Sequence, residues 1–148
     1  MKLFGVEENI YGTEYKAHLM EQYKLYVASI EQISDRRQKS NNYFVAVNTV
    51  LLSVLGLPVF QSVVWIKIAL VGVGIFISVI FAFLIRSYKQ LNTGKFAVLH
   101  EIEARLPLQL YAYEWKSKLA EGKKKSIYYP FSHIEYIIPW VFGLVYSV

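Results

Sequence analysis

Apolar positions in the first third of the chain recur at alternating spacings of four and three. Leu19, Tyr23, Tyr26, Ile30 and Ile33 draw a narrow seam on one helical face. Between them lie Glu21, Lys24, Glu31, Gln32, Asp35 and Arg36, a solvated face. No Pro or Gly interrupts residues 13–55, and the same phase carried forward meets Phe44, Val47, Leu51 and Val54. The pattern predicts one unbroken helix, amphipathic over 14–42 and apolar beyond. Residues 1–13, with Gly5, Asn9 and Gly12, read as a flexible tail.

Two uncharged runs follow, 43–60 and 68–85. As helix each is about 27 Å long, against a hydrocarbon core of about 30 Å. Gly56-Leu57-Pro58 loosens the far end of the first, and Gln61 with Ser62 marks a short turn. Trp65 and Lys67 suit an outer interface, and Tyr43 and Tyr88 an inner one. The expectation is a two-helix transmembrane hairpin, with spans of about 43–60 and 66–85. Arg36, Arg37 and Lys39 precede it and Arg86, Lys89 and Lys95 follow it, while the turn carries Lys67 alone. Basic residues favour the cytoplasmic side, so both termini are expected there, in a multi-pass protein of a bacterial inner membrane. Met1–Glu8 hold no apolar signal core, which leaves the first span to direct insertion.

Residues 86–148 are expected to form a cytosolic helical region. Asn92-Thr93-Gly94 is expected to interrupt the second helix, after which Phe96, Leu99, Ile102 and Leu106 recur at helical spacing. His100, Glu101, Glu103 and Arg105 fill the opposite face. Pro107 ends that helix and suits the first turn of the next, whose stripe is Leu108, Tyr111, Trp115 and Leu119, with Gly122 as its cap. Ser132 with Glu135 forms a capping-box pattern opening a short apolar helix over 133–148, which Pro139 should kink or restart. Its uncharged part, from Tyr136 to Val148, amounts to about 20 Å, short for a crossing. The expectation is a helix docked at the inner interface or in a groove between subunits, with a tilted third span as the alternative.

Composition sharpens this reading. Hydrophobic residues reach 55% against 18% charged, for a mean hydropathy of +0.31. The chain has no cysteine, which excludes disulfides, thiolate nucleophiles and Cys-based metal sites. The net charge of +5 flanks apolar runs and forms no recognition motif, which argues against a nucleic-acid partner. Small residues Gly74, Ser78 and Ala82 repeat every four positions and predict close helix packing. Asn48, Thr49 and Ser53 form a polar strip that either lines a pore or bonds between helices, unless Thr and Ser bond back to their own carbonyls. Neither uncharged run holds Asp, Glu, His, Lys or Arg, against a proton relay or coupled transport.

His100 with Glu103, and His18 with Glu14 or Glu21, have metal-capable spacings, but two ligands do not make a site. No nucleophile elbow, phosphate loop or paired carboxylates occur. Neither an enzyme nor a cofactor or metal site is expected; His100, Glu101 and Glu103 are the best candidates were it one. Arg36, Arg37 and Lys39, and the triplet Lys123, Lys124 and Lys125, are candidates for contact with lipid headgroups or a small anionic ligand.

One arrangement exceeds composition. Glu21-Gln22-Tyr23-Lys24-Leu25-Tyr26, Ile33-Ser34-Asp35-Arg36-Arg37-Gln38 and Asn48-Thr49 precede the second span. Leu91-Asn92, Lys95-Phe96, Glu101-Ile102-Glu103, Leu106-Pro107, Glu114-Trp115, Ile134-Glu135, Ile138-Pro139 and Tyr146 follow it. From about Tyr15 onward this resembles the RipA family of octameric bacterial membrane proteins, and more loosely the two-span membrane effector modules of nucleotide-signalling defence systems. The resemblance implies a homo-octamer with a helical cytosolic portion, tied to stress or host adaptation, and no catalytic residues. The seam agrees independently, because a lone amphipathic extension cannot cover its own apolar stripe. The expected class is an all-α membrane homo-oligomer acting as a structural, interaction or signal-responsive assembly, with lipid and a cytosolic protein or small anionic ligand as further partners. The alternative is a pore-forming, membrane-permeabilising effector.

Overall fold

The computed structural model describes residues 2–61, 63–124, 126–128 and 130–147, with the side chains of 60, 61, 131 and 132 excepted. Ser62, Lys125, and the side chains of Gln61 and Ser132 named above, therefore lie outside the described residues. Among those described, every regular element is helical. The uninterrupted phase becomes a single helix, Tyr15–Leu55, preceded by a turn of helix at Glu8–Tyr11; these are α2 and α1. The stretch read as a tail thus holds a helical turn, and Tyr11 reaches His18 through a 2.9 Å hydrogen bond.

Leu55 is the last residue of α2, because Gly56 and the residue before Pro58 disfavour helix. The first uncharged run is therefore divided, its remainder forming the short α3, Pro58–Gln61. The next helix, α4, spans Val64–Glu103. It continues through Asn92-Thr93-Gly94, where an interruption was expected. A helical Gly costs about 1 kcal/mol relative to Ala. Buried seam residues on either side, Ile85 and Leu99, outweigh that cost.

Beyond Glu103 the expected amphipathic helix is replaced by three unlike turns. Leu110–Tyr113 is α-helical (α5), Glu114–Lys118 widens to a π turn, and Ala120–Gly122 tightens to a 3₁₀ turn. Leu108 precedes α5 and is largely exposed, and the π turn resets the angular phase beyond Tyr113, so Leu108, Tyr111, Trp115 and Leu119 do not share one stripe. Ala120, Glu121 and Gly122 all adopt positive φ, and Gly122, expected as a cap, closes the 3₁₀ turn at +71° while Leu119 and Lys123 hold the cap positions. Helix α6 covers Phe131–Ser147 and carries Pro139 within its run.

The chain divides into two compact units, Met1–Ser34 with Leu91–Tyr128, and Asp35–Gln90 with Tyr129–Val148. In the first, Ile30, Leu99, Ile102 and Ala112 form the core, and Phe96 meets Tyr111 edge-on. In the second, Phe81, Ile85 and Tyr146 are buried, and Phe44 stacks on Phe81 with centroids 4.7 Å apart. Within the second unit the contacts Ser40–Tyr88, Phe44–Phe81 and Asn48–Ser78 run in opposite order along α2 and α4, so the two helices there are antiparallel.

One helix among the described residues is long and apolar enough to cross a membrane. The most apolar 18-residue window of α4 has a mean hydropathy of 3.0, and only 22% of it is buried. Val73, Phe76, Val79, Ile80 and Phe83 project outward from it.

Candidate functional site

Two buried polar clusters sit on the second unit's seam. The first centres on Glu135, whose side chain is 2% exposed. One carboxylate oxygen accepts a hydrogen bond from Asn41 Nδ2 and lies 3.6 Å from Arg37 Nε. The other has no donor among the described residues. Arg37 and Asn41 occupy the next turns of the seam after Ile33, which is why an inward-facing guanidinium and amide lie here. Arg37 is thereby separated from Arg36 and Lys39, the exposed members of the basic set preceding the apolar segment. Glu135, read as half of a capping box, spends its carboxylate on a neighbouring helix instead.

Asn48, fully buried, anchors the second cluster. Its Nδ2 donates to the Phe44 carbonyl at 2.8 Å, and its Oδ1 accepts from Ser78 Oγ at 3.4 Å. Ser78 shares that one hydroxyl proton with the Gly74 carbonyl, the nearer acceptor at 2.9 Å. Tyr146 lays its ring over Gly74 and donates its hydroxyl to the Asn48 carbonyl at 3.2 Å. A Cβ on Gly74 would overlap that ring, so the glycine is needed for the close approach.

The predicted polar strip divides accordingly. Asn48 bonds between helices, whereas Thr49 and Ser53 are exposed and donate to the carbonyls four residues back, each at 2.8 Å. The small-residue row is partly revised as well. Gly74 and Ser78 are buried, but Phe81 and Ile85 continue the row, and Ala82 is only half-buried. A spacing of 4-3-4 holds a seam in line, and a strict four-residue repeat drifts off it.

The first unit has its own buried carboxylate. Glu103, expected on a polar face, is fully buried. Its Oε1 accepts from Tyr23 Oη at 3.2 Å and from the Tyr111 amide at 3.0 Å, and its Oε2 from the Ala112 amide at 3.0 Å. It thus serves the otherwise unpaired amides that open α5. Burial first, then the Glu103 charge, pushes the Tyr23 phenol up to about 12. Glu101 is exposed, and His100 Nε2 is buried without a hydrogen bond. The three residues do not converge, and the described residues hold no group of three metal-ligating side chains.

Lys95 donates to Ser29 Oγ at 2.8 Å and covers the Tyr26 ring. Lys123 pairs with exposed Glu121, holding that carboxyl below its usual range, and Lys124 is exposed. A cavity of about 260 Å³ is lined by Phe4, Tyr11, Tyr15, His18, Leu19 and Ile102, among others. Beside it Arg105 covers the Phe4 ring at 3.5 Å and bonds Tyr15 Oη at 3.0 Å.

A chain whose described elements are all helical, with a long apolar helix left largely uncovered and buried polar contacts holding helices together, has the makings of an integral membrane protein. The model of the octameric membrane protein family (8xMP) matches residues 20–148, and the chain belongs to that family. No curated protein and no solved structure matches it.

Proposed function

We propose that this chain is the repeating subunit of a homo-octamer in a bacterial cytoplasmic membrane, serving as an interaction assembly that responds to a signal on its cytoplasmic side. The observation carrying this reading is the family match over residues 20–148, joined to the uncovered apolar surface of α4. Lipid or a neighbouring copy relieves that exposure, and water does not. The apolar parts of α2 and α4 form the transmembrane hairpin. Arg36, Lys39, Arg86 and Lys89 gather at one end of it, and the preference of basic residues for the cytoplasm supports a cytoplasmic N-terminus. The buried carboxylates bind helices and backbone amides of their own chain, a structural use that favours assembly over catalysis. A role in stress or host adaptation, as in RipA-like proteins, fits such an assembly. Mass measurement of the protein in nanodiscs, paired with particle images, should return eight copies; a monomer or dimer would refute the reading.

A second reading, a membrane-permeabilising effector, is favoured by one observation: Thr49 and Ser53 present hydroxyl-bearing positions on the outer surface of α2. Ion flux from reconstituted vesicles separates the two. Flux abolished by Thr49→Val with Ser53→Ala supports the effector, and sealed vesicles support the non-conducting assembly.

A further inference from the structure

The geometry points to α6 as a helix embedded in the membrane, parallel to α2, with Tyr146 near the middle of the bilayer. This rests on the reading that α4 crosses the membrane. Contacts at both ends of α6 set its depth. Near its start, Glu135 meets Arg37 and Asn41; near its end, Tyr146 meets Asn48 and Gly74. Residue numbers therefore rise together on α2 and α6.

Two counts agree on where Tyr146 lies. From Lys39 to Asn48 along α2 is about 14 Å, and from Arg86 to Gly74 along α4 is about 18 Å, by helical rise. Both distances start from cytoplasmic-end charges, and together they bracket the middle of a core of about 30 Å. A helix lying flat on the inner surface cannot touch positions at that depth.

The chemistry of α6 agrees with its position. No charged side chain follows Glu135 along the helix. Ile137, Trp140, Val141 and Leu144 are more than half exposed, an apolar face that hydrocarbon covers without cost. Glu135 is the group that lipid would not tolerate, and it lies where Arg37 compensates its charge. Ser147 Oγ donates back to the Leu144 carbonyl at 2.7 Å, so its hydroxyl is paired within the helix.

The absence of cysteine makes single-cysteine labelling clean. Ser147→Cys, Ser117→Cys and Phe76→Cys would be compared with a membrane-impermeant maleimide in inverted and right-side-out vesicles. All three positions are exposed within the chain. Ser117→Cys should label in inverted vesicles, and Ser147→Cys at least tenfold more slowly from either face until denaturing detergent is added. Phe76→Cys should stay protected too. Ser147→Cys labelling from either face, with Phe76→Cys protected, overturns the inference alone. Phe76→Cys labelling overturns the membrane reading of α4 on which it rests. To separate lipid from shielding by a neighbouring copy, Trp140 is read in a Trp65→Phe, Trp115→Phe background. Brominated acyl chains should quench it at least twofold; absence of quenching overturns the inference.

Discussion

Glu103 and Glu135 are both carboxylates removed from water, one in each compact unit, and they are accommodated differently. Glu103 divides three donors between its two oxygens, two of them backbone amides that every residue but proline supplies. Glu135 depends on two side chains sharing one oxygen, an amide and a guanidinium. Backbone amides make a carboxylate a local structural part, tied to the turn that supplies them. A charged partner on another helix makes it a long-range tie that stands or falls with its counter-charge.

The contrast predicts that the largest loss comes from Arg37→Leu, which strands a buried carboxylate. Removing one member of a buried pair costs about 3–5 kcal/mol. Thermal unfolding in detergent should show it as a steep fall in stability. The double variant Arg37→Met/Glu135→Leu should recover much of the loss, since an apolar pair of similar volume carries no desolvation cost. If the double variant is as unstable as the single one, the tie is not electrostatic.

Glu103→Ala should cost less, about 2–4 kcal/mol, because it leaves two amides and a phenol without their acceptor. Amide exchange should accelerate at Tyr111 and Ala112, with Glu103→Gln retaining part of the protection. The Tyr23 phenol supplies a pH signature. Its folded pKa is raised, so the stability it contributes is complete below its ordinary value of 10.0 and is lost as pH rises toward about 12. Tyr23→Phe should flatten unfolding curves over that alkaline window. A window unchanged by Tyr23→Phe would separate the phenol from the carboxylate.

These two carboxylates also mark how far the sequence could be read. The seam from Leu19 to Val54, the unbroken α2 and an apolar helical run that stops before Arg86 were legible because periodicity and charge-free length follow directly from helix geometry. Arg37, Asn41 and Glu103 occupy seam positions, and a polar residue in phase with apolar neighbours was the available signal for all three. Their partners were not legible. Periodicity states which face turns inward but not which helix it meets, so neither Glu135 on Arg37 nor Tyr146 on Gly74 followed from spacing. The π turn at Glu114–Lys118 was hidden for a related reason: the residues suit an ordinary helix, and tertiary packing decides otherwise.

Gly74→Val tests the second unit's other tie. A branched side chain must displace the Tyr146 ring, and overpacking of this kind costs about 1–3 kcal/mol. Tyr146→Phe keeps the ring and loses one hydrogen bond, worth about 1 kcal/mol. Trp140 emission should shift with Gly74→Val and hold still with Tyr146→Phe if the ring, rather than its hydroxyl, seats α6.

The smallest expected effect belongs to the polar strip, where Asn48 and Thr49 are adjacent in sequence yet differ in what they hold. Thr49→Val and Ser53→Ala each remove a bond made within one turn of α2 and leave the backbone ladder intact, so stability should change by no more than about 0.5 kcal/mol. Asn48→Leu severs the link to Ser78 in a fully buried position and should cost several times more. Unfolding midpoints of the three variants measure the contrast directly. A large loss from Thr49→Val would mean that its hydroxyl faces a partner outside this chain, which would return the outer strip to the centre of the functional question.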